Sequence, residues 1–345
     1  MKNVSKYIKG LLKGNNGLVR LSDWETNSNE VVVTIHCFVF NQEKYISRCI
    51  DSMLKQYVNF NVEIIIHDDC STDNSRKIIE EYYKEYPDII KPIYEEENVY
   101  SKTGNFLEIA ELVNEVSKGK YIAICEGDDY WTDPAKLFLQ VKILEEYKNC
   151  HFCVHRVAVS SNDNKYSTTE KTIPSFKMKT RFIKDVKFVS LVNDKYNFQT
   201  SSYFFRKTDY DELFSTKPKY MKLMPTDDEV LLRHFGVMGE TCFIDRIMST
   251  YLQFTEGSWS KEHKEKKDIT KQNRFIQALG EFDKWTNYKY HKSCNNFVLK
   301  IEVFSKIEAK QFEDIFKSKD LRKTLRKIDF KTYVSLKIRH ILGKI

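Results

Sequence analysis

The sequence predicts an α/β protein with a parallel sheet and helices on its faces. Three observations carry this expectation. Short apolar, β-branched runs alternate with stretches at helical spacing. Two of those runs end abruptly in acids, at Asp68-Asp69 and at Glu126/Asp128-Asp129. A hydrophobic content of 41%, with 14% aromatics, is enough for a sizeable core.

The elements follow in order. Residues 1–13 place Val4, Tyr7, Ile8, Leu11 and Leu12 at helical spacing among lysines. Such a basic amphipathic helix either lies on an anionic membrane surface or docks locally. VVVTIHCFVF, residues 31–40, is the first buried strand. Asn41-Gln42-Glu43 opens a helix whose apolar face is Ile46, Cys49/Ile50, Met53/Leu54 and Tyr57. VEIIIH, residues 62–67, is the second strand, and a helix over 74–86 follows, with Thr72, Asp73 and Ser75 as plausible caps and Pro87 as its stop. Residues 89–94 make a third strand. A helix over 105–116 turns Phe106, Ile109/Ala110, Val113 and Val116 inward, and Gly119 ends it. YIAIC, residues 121–125, is a strand buried on both faces.

Asp133-Pro134 begins a further helix with Leu137, Val141, Leu144 and Tyr147 on its apolar face. Strand material is expected at 151–159, 198–206, 241–247 and 248–254, with a polar surface excursion over 160–180. Helices are expected at 181–193 and 227–235. From Lys261 onward the pattern is helical and heavily charged.

The 345 residues suit one large domain with an appendage, or two domains. No stretch approaches the ~18 uncharged apolar residues that span a bilayer, and Leu11-Leu12 is too short for a signal-peptide core. The expectation is a cytoplasmic protein. The net charge of +7 is uneven: residues 317–345 carry ten Lys/Arg against two Asp, residues 1–20 carry five Lys/Arg and no acid, and the middle is therefore −6. Basic ends on an acidic body suit a peripheral place on an anionic membrane and argue against nucleic acid. Cys150-His151-Phe152-Cys153 has C-x-x-C spacing, but no second paired set accompanies it, so the eight cysteines read as ordinary thiols.

The acids set the functional expectation. Parallel βαβ sheets bind ligands beyond the carboxyl ends of their strands. Two acidic clusters at such ends face one crevice and call for a hard divalent cation, commonly shared with a phosphate. Neither G-x-G-x-x-G after the first strand nor G-x-x-x-x-G-K-[ST] is present, so the site is metal-led without a glycine cradle.

At these residues the chain resembles the large inverting glycosyltransferase family 2 with a GT-A fold. Val39-Phe40-Asn41 resembles that family's T-Y-N turn. Asp68-Asp69-x-Ser71-x-Asp73 is similar to its D-D-x-S-x-D, and Glu126-Gly127-Asp128-Asp129 to its D-x-D region. Asp129-Tyr130-Trp131-x-Asp133-Pro134-x-Lys136-Leu137, with Gln140, looks like the subgroup that builds bacterial surface glycans. The resemblance covers roughly residues 31–260.

It implies a GT-A domain over 31–260, a Rossmann-like mixed sheet with helices on both faces, with a nucleotide-binding half over 31–135 and an acceptor half over 136–260. A basic segment over 1–20 precedes it and a helical region over 261–345 follows. It implies a nucleotide-sugar donor, UDP-linked in expectation, and a glycan or lipid-linked acceptor. Phe40 and Asp68 or Asp69 would meet the nucleotide and Asp128 the ribose. Asp129 would ligate Mn²⁺ or Mg²⁺ on the diphosphate. Counting back 11 from Gly239, as the family spacing suggests, gives Asp228 as base, with Asp227 as alternate. Trp131 lines the acceptor side or is a core tryptophan.

Three departures stand out. Phe40 replaces a Tyr and Glu126 replaces the first acid of D-x-D. Tyr251-Leu252-Gln253-Phe254 falls where Y-R-x-H is common, and Ser258, Trp259, Ser260 or Lys261 could compensate. Two other functions compete: a non-catalytic nucleotide- or glycan-binding relic of the same fold, and an aspartyl-phosphate phosphohydrolase, whose D-x-D is missing because Cys70 follows Asp69.

Overall fold

The computed structural model describes residues 4–14, 16–25, 30–104, 106–160, 171–175, 179–184, 198–253 and 269–342. The chain divides into two compact units. One is Met1–Lys187, Lys195–Lys217 and Thr226–Lys266; the other is Phe188–Asp194, Pro218–Pro225 and Lys267–Ile345.

In the first unit, helix α1 (Val4–Lys13) precedes strand β1 (Val31–Val39), α2 (Ile46–Leu54), β2 (Asn61–Asp68), α3 (Ser75–Glu85) and β3 (Ile90–Tyr94). Then come α4 (Val99–Thr103), α5 (Phe106–Val116), β4 (Tyr121–Ile124), β5 (Tyr130–Trp131), α6 (Lys136–Glu146) and β6 (Cys150–Ser160). Strands β7 (Thr172–Ile173), β8 (Arg181–Lys184) and β9 (Phe204–Arg206) and helix α7 (Lys207–Thr216) follow. After α8 (Lys219–Leu223), which belongs to the second unit, α9 (Asp227–Met238) and β10 (Glu240–Leu252) complete the first.

The sheet order is β8-β10-β6-β9-β4-β1-β2-β3, with β5 on β10 and β7 on β6. β3, β2, β1 and β4 run parallel to one another. β9 is antiparallel to both neighbours, and β10 returns to a parallel pairing with β6. The sheet is therefore mixed.

Strand β1 sits at its centre. Val33, Ile35 and Cys37 are fully buried, and so are Thr34 and His36 on the other face. Thr34 Oγ1 donates to Glu63 Oε1 at 2.6 Å, and His36 Nε2 meets Ser117 Oγ at 2.8 Å, while His36 Nδ1 has no partner among the described residues. Burial pushes the His36 ring down to about 3, so it is neutral. Gly119 lies against this strand so closely that a Cβ there would stand 2.3 Å from Thr34 N.

Several expectations change on contact with tertiary structure. α2 stops at Leu54, and Tyr57 instead pairs with Arg20 in a two-stranded ribbon. α5 buries Leu107, Ile109, Ala110 and Val113, while Val116, at its C-terminal end, is 50% exposed. α6 is buried over most of its surface: Leu137, Phe138, Leu139, Val141, Ile143 and Leu144 are all buried, and Lys142, Glu145 and Glu146 are the residues that reach solvent. Residues 200–202 form a 3₁₀ turn rather than strand, because Gln199 Oε1 accepts from both the N–H and the Oγ of Ser201. The segment 181–184, expected as helix, is strand β8 against β10; residues 185–193 lie outside the described residues. β10 is one continuous strand where two were expected. Helix α1 takes the docked alternative: Ile8 is 7% exposed, and Tyr7 and Leu11 pack on the same core.

The second unit is helical. α10 (Ile269–Trp285) and α8 pair through Tyr220, Phe282 and Trp285. α11 (His291–Glu308), α12 (Phe312–Lys317), α13 (Lys319–Ile328) and α14 (Phe330–Ile341) surround Val303, Ile315, Phe316, Leu321, Leu325 and Leu336.

Gly119→Ala tests the central packing. The added methyl meets backbone that cannot rotate away, so a loss of about 1–3 kcal/mol is expected. An unchanged unfolding midpoint in that variant would contradict the close approach.

Candidate active site

The site is built on three turns at the carboxyl ends of β1, β2 and β4. The register sets Val39 beside Asp68 and His36 beside Ile124, so all three turns open at one edge.

The first two turns are stitched together by the side chains of the D-D-x-S-x-D stretch. Ser71 Oγ accepts the Asn41 N–H at 2.9 Å, Asp73 Oδ2 the Glu43 N–H at 2.9 Å, and Ser75 Oγ the Gln42 N–H at 2.8 Å. Asn41 Oδ1 accepts the Thr72 N–H in return, at 2.8 Å. Asn41 and Cys70 take positive φ to make this fit. Phe40 stands at this edge with its ring 40% exposed.

Asp68 is fully buried. Its Oδ2 accepts the Ser71 N–H at 3.3 Å, while its Oδ1 has no partner among the described residues. Burial pushes its carboxyl up, against the pull of the Ser71 bonds and of Arg76. Asp69 is spent differently. Its two oxygens accept the N–H groups of Val99 and Tyr100 at 2.7 and 3.0 Å, at the first turn of α4.

The third turn carries the acids expected to meet a cation. The Gly127 N–H donates to Phe38 O at 3.0 Å, and a Cβ there would lie 3.0 Å from Val39 Cγ2. The turn is thus laid onto the end of β1. Asp128 is 7% exposed and Asp129 1%. Asp129 Oδ1 accepts the Leu252 N–H at 3.1 Å; its Oδ2 is buried with no partner among the described residues. Burial first, then the charges of Asp128 and Glu126, holds Asp129 well above the usual carboxylate range. Glu126 is pushed up to about 8 by burial, then by Asp128 and Asp227. Its Oε1 accepts a bond from Thr200 Oγ1 at 3.1 Å.

Asp227 and Asp228 open α9, and both act on Glu126 electrostatically. The structure therefore brings this pair to the acids of the third turn. Burial and then Asp228 push Asp227 up to about 7.

Trp131 is placed elsewhere. Its ring is 4% exposed in the core, with the Lys136 ammonium 4.1 Å from its centroid. A ring that closed off has almost no face to offer an acceptor, so the core alternative describes it. The cysteines at 150 and 153 are buried free thiols.

A cation fits the donors. Among the described residues no three acid, cysteine or histidine side chains stand ready as a complete cage. What they offer is an unpartnered carboxylate oxygen on Asp129, beside Glu126 and Asp128, where burial first and neighbouring negative charge second raise the carboxyls of Asp129 and Glu126. Hard cations take such oxygens and fill the remaining positions with phosphate and water.

Three contributions escaped the sequence reading. Leu252 acts through its backbone N–H, which leaves no side-chain signal. Thr200 is a lone hydroxyl in a segment read as strand. Lys136 was visible only as a motif letter; it is fully buried, donates to Gln140 Oε1 at 2.8 Å, and burial pushes it down to about 7. Ser258, Trp259, Ser260 and Lys261 lie outside the described residues.

The model of the family described as glycosyl transferase family 2 matches residues 34–212. The chain belongs to glycosyl transferase family 2. An uncharacterised protein of Mycobacterium tuberculosis is 31% identical over 228 residues, covering 66% of this chain and 60% of its own. The minor teichoic acid biosynthesis protein GgaA of Bacillus subtilis is 26% identical over 229 residues, covering 64% and 48%. The chain thus aligns with only about half to three-fifths of these relatives' lengths. The crystal structure of S. aureus TarS 1–349 with UDP-GlcNAc superposes with a TM-score of 0.53 at 12% identity, over 91% of this chain and 93% of that one. With the family match, that likeness establishes the GT-A fold.

The elevated acids give a pH signature. An acid whose folded pKa lies above its unfolded value binds more protons folded, so its contribution to stability falls as pH rises between the two. For Glu126 the window runs from about 4.5 to about 8. Without added metal, Glu126→Gln is therefore expected to gain on the wild type, in unfolding midpoint, as pH climbs through that window. A pH-independent difference between the two proteins would remove the assignment.

Proposed function

We propose that the chain is a metal-dependent inverting glycosyltransferase that moves a sugar from a nucleotide donor to a glycan or lipid-linked acceptor in surface-polysaccharide synthesis. The observation that carries this is the pair of buried, unpartnered carboxylate oxygens, Asp68 Oδ1 and Asp129 Oδ2, at the ligand edge of the sheet. One suits a nucleobase or ribose donor group, the other a cation on the diphosphate.

Asp68 is the carboxylate that accepts from the nucleoside. Asp69 shapes the adjoining wall by holding α4, so its contribution to the donor is indirect. Phe40 offers its exposed ring for stacking, and Asp128 meets the ribose. Asp129 holds Mn²⁺ or Mg²⁺, with Glu126 in support. The cation, when bound, neutralises charge that develops on the departing diphosphate. A UDP-linked donor is favoured because S. aureus TarS, which shares the fold, has been crystallised in complex with UDP-GlcNAc.

Asp228 acts as base. Inversion needs a group on the far side of the sugar to take the acceptor hydroxyl's proton while the hydroxyl oxygen attacks the anomeric carbon and the bond to the diphosphate breaks. The N-terminus of α9 favours the ionised carboxylate. Asp227, pushed up to about 7 by burial and then by Asp228, is partly protonated near neutrality, which lessens the charge beside Asp228.

The phosphohydrolase alternative loses ground here, because both Asp69 oxygens are already bonded to backbone N–H groups. The relic alternative rests on the absent Y-R-x-H, yet the Leu252 N–H still reaches Asp129. The chain's place of work is the cytoplasmic face of an anionic membrane. Among the described residues no helix is long and apolar enough to cross one.

Calorimetry with UDP is expected to show binding that requires Mn²⁺ and disappears in EDTA; affinity indifferent to EDTA would remove the Asp129 role. Asp228→Asn should keep that binding while turnover with a UDP-sugar falls by about 10²–10⁴-fold. Wild-type turnover in that variant, or loss confined to Asp227→Asn, would overturn the assignment of the base.

A further inference from the structure

The two basic ends of the chain are not equivalent. α1 has used its apolar face: Ile8 is buried, Leu11 packs on the core, and Tyr7 Oη donates to Lys142 O at 3.4 Å. The last helix has a second apolar face left over.

Helix α14 packs one side inward. Leu336 is 5% exposed, Tyr333 is half-buried on the same cluster, and the His340 ring stacks on Phe316 with centroids 4.7 Å apart. On the other side Phe330, Val334, Ile338 and Ile341 follow at intervals of four, four and three, which is a single helical stripe. Phe330 is 58% exposed, Ile338 53% and Ile341 71%. Leu342, one residue past the helix, extends the stripe. A water-facing helix surface of this size would ordinarily be polar, and a contiguous apolar stripe marks a contact.

The charges around it name the partner. Lys337 and Arg339 stand on either side of Ile338 and are exposed. On α13, Leu321 and Leu325 point into the unit, and Arg322, Lys323, Arg326 and Lys327 are all exposed. Residues 317–345 hold ten Lys/Arg and two Asp, and no acid occurs within α14. A partner must therefore be apolar beneath and anionic at its surface.

We propose that α14 is a membrane-contact element that lays Phe330, Val334, Ile338, Ile341 and Leu342 into the headgroup boundary of an anionic bilayer, with the α13 and α14 cations over the lipid phosphates. This is how an interfacial amphipathic helix binds: apolar side chains enter the acyl boundary and basic ones meet anionic headgroups. It deepens the membrane placement given above and is independent of the transfer chemistry.

The test is co-sedimentation of the full chain with vesicles of phosphatidylglycerol and phosphatidylcholine in equal parts, and with phosphatidylcholine alone. Binding is expected to the first only, and to weaken with salt. Ile338→Ser with Ile341→Ser removes exposed methyl groups without touching the core, and should lower the partition constant on the order of tenfold or more. Circular dichroism and UDP binding should stay as in the wild type, so failure here is separable from failure of the transferase reading. Leu12→Ser, at an exposed position of α1, should change nothing. Equal partitioning of the double variant, or wild-type binding to phosphatidylcholine alone, would overturn the proposal. So would a wild-type dimer in solution that the double variant dissociates, since a second copy would then cover the stripe.

Discussion

Like charge in a dry place is the constraint on which the rest of this molecule depends. Glu126, Asp128 and Asp129 share one turn, and Asp227 and Asp228 approach it from another helix. Buried carboxylates without counter-charge hold protons they would lose in water. A densely packed frame surrounds these acids. β1 is buried on both faces, Gly119 lets the α5–β4 connection touch it, and Gly127 lets the acidic turn lie on its end. Hydroxyls and amides from Ser71, Ser75, Asn41 and Thr200 then fix each turn without adding charge. On the proposed reading a divalent cation offsets the negative charge of this turn and carries the anionic diphosphate with it.

Much of this was legible in the sequence because it depends on strand ends. A β-branched run that stops in Asp-Asp announces both a buried strand and the edge at which it opens. Two such runs in parallel βαβ order had to place their acids on one side, and they do. What was not legible depends on partners distant in the chain. Whether Asp69 faces a ligand or two backbone amides is decided thirty residues away, at Val99 and Tyr100. Trp131 looked like a site residue because it follows the acids, but alternation carries its ring to the core, beside Lys136. Local hydroxyl chemistry turned residues 200–202 out of the strand that their aromatic flanks suggested. α6 buries Phe138, Leu139 and Ile143 beside the apolar face its spacing suggested, so the periodicity showed only part of its contact surface.

The helical ends show the same limit from the other side. Composition alone gave both termini one character, basic and amphipathic. Packing separates them. One apolar face is consumed by the core of the first unit, and the other is left on the outside of the second. A hydrophobic stripe states that a helix wants a partner; only the folded chain says whether it already has one.

The contact between Leu252 and Asp129 has a consequence for how this family can diverge. The bond is made by main chain, so the identity of the side chain at 252 is not coupled to the carboxylate's orientation. The main-chain bond to the acid therefore does not require an arginine at 252. Sequence drift there can reshape the neighbouring wall while the alignment of the acid is inherited unchanged from the strand.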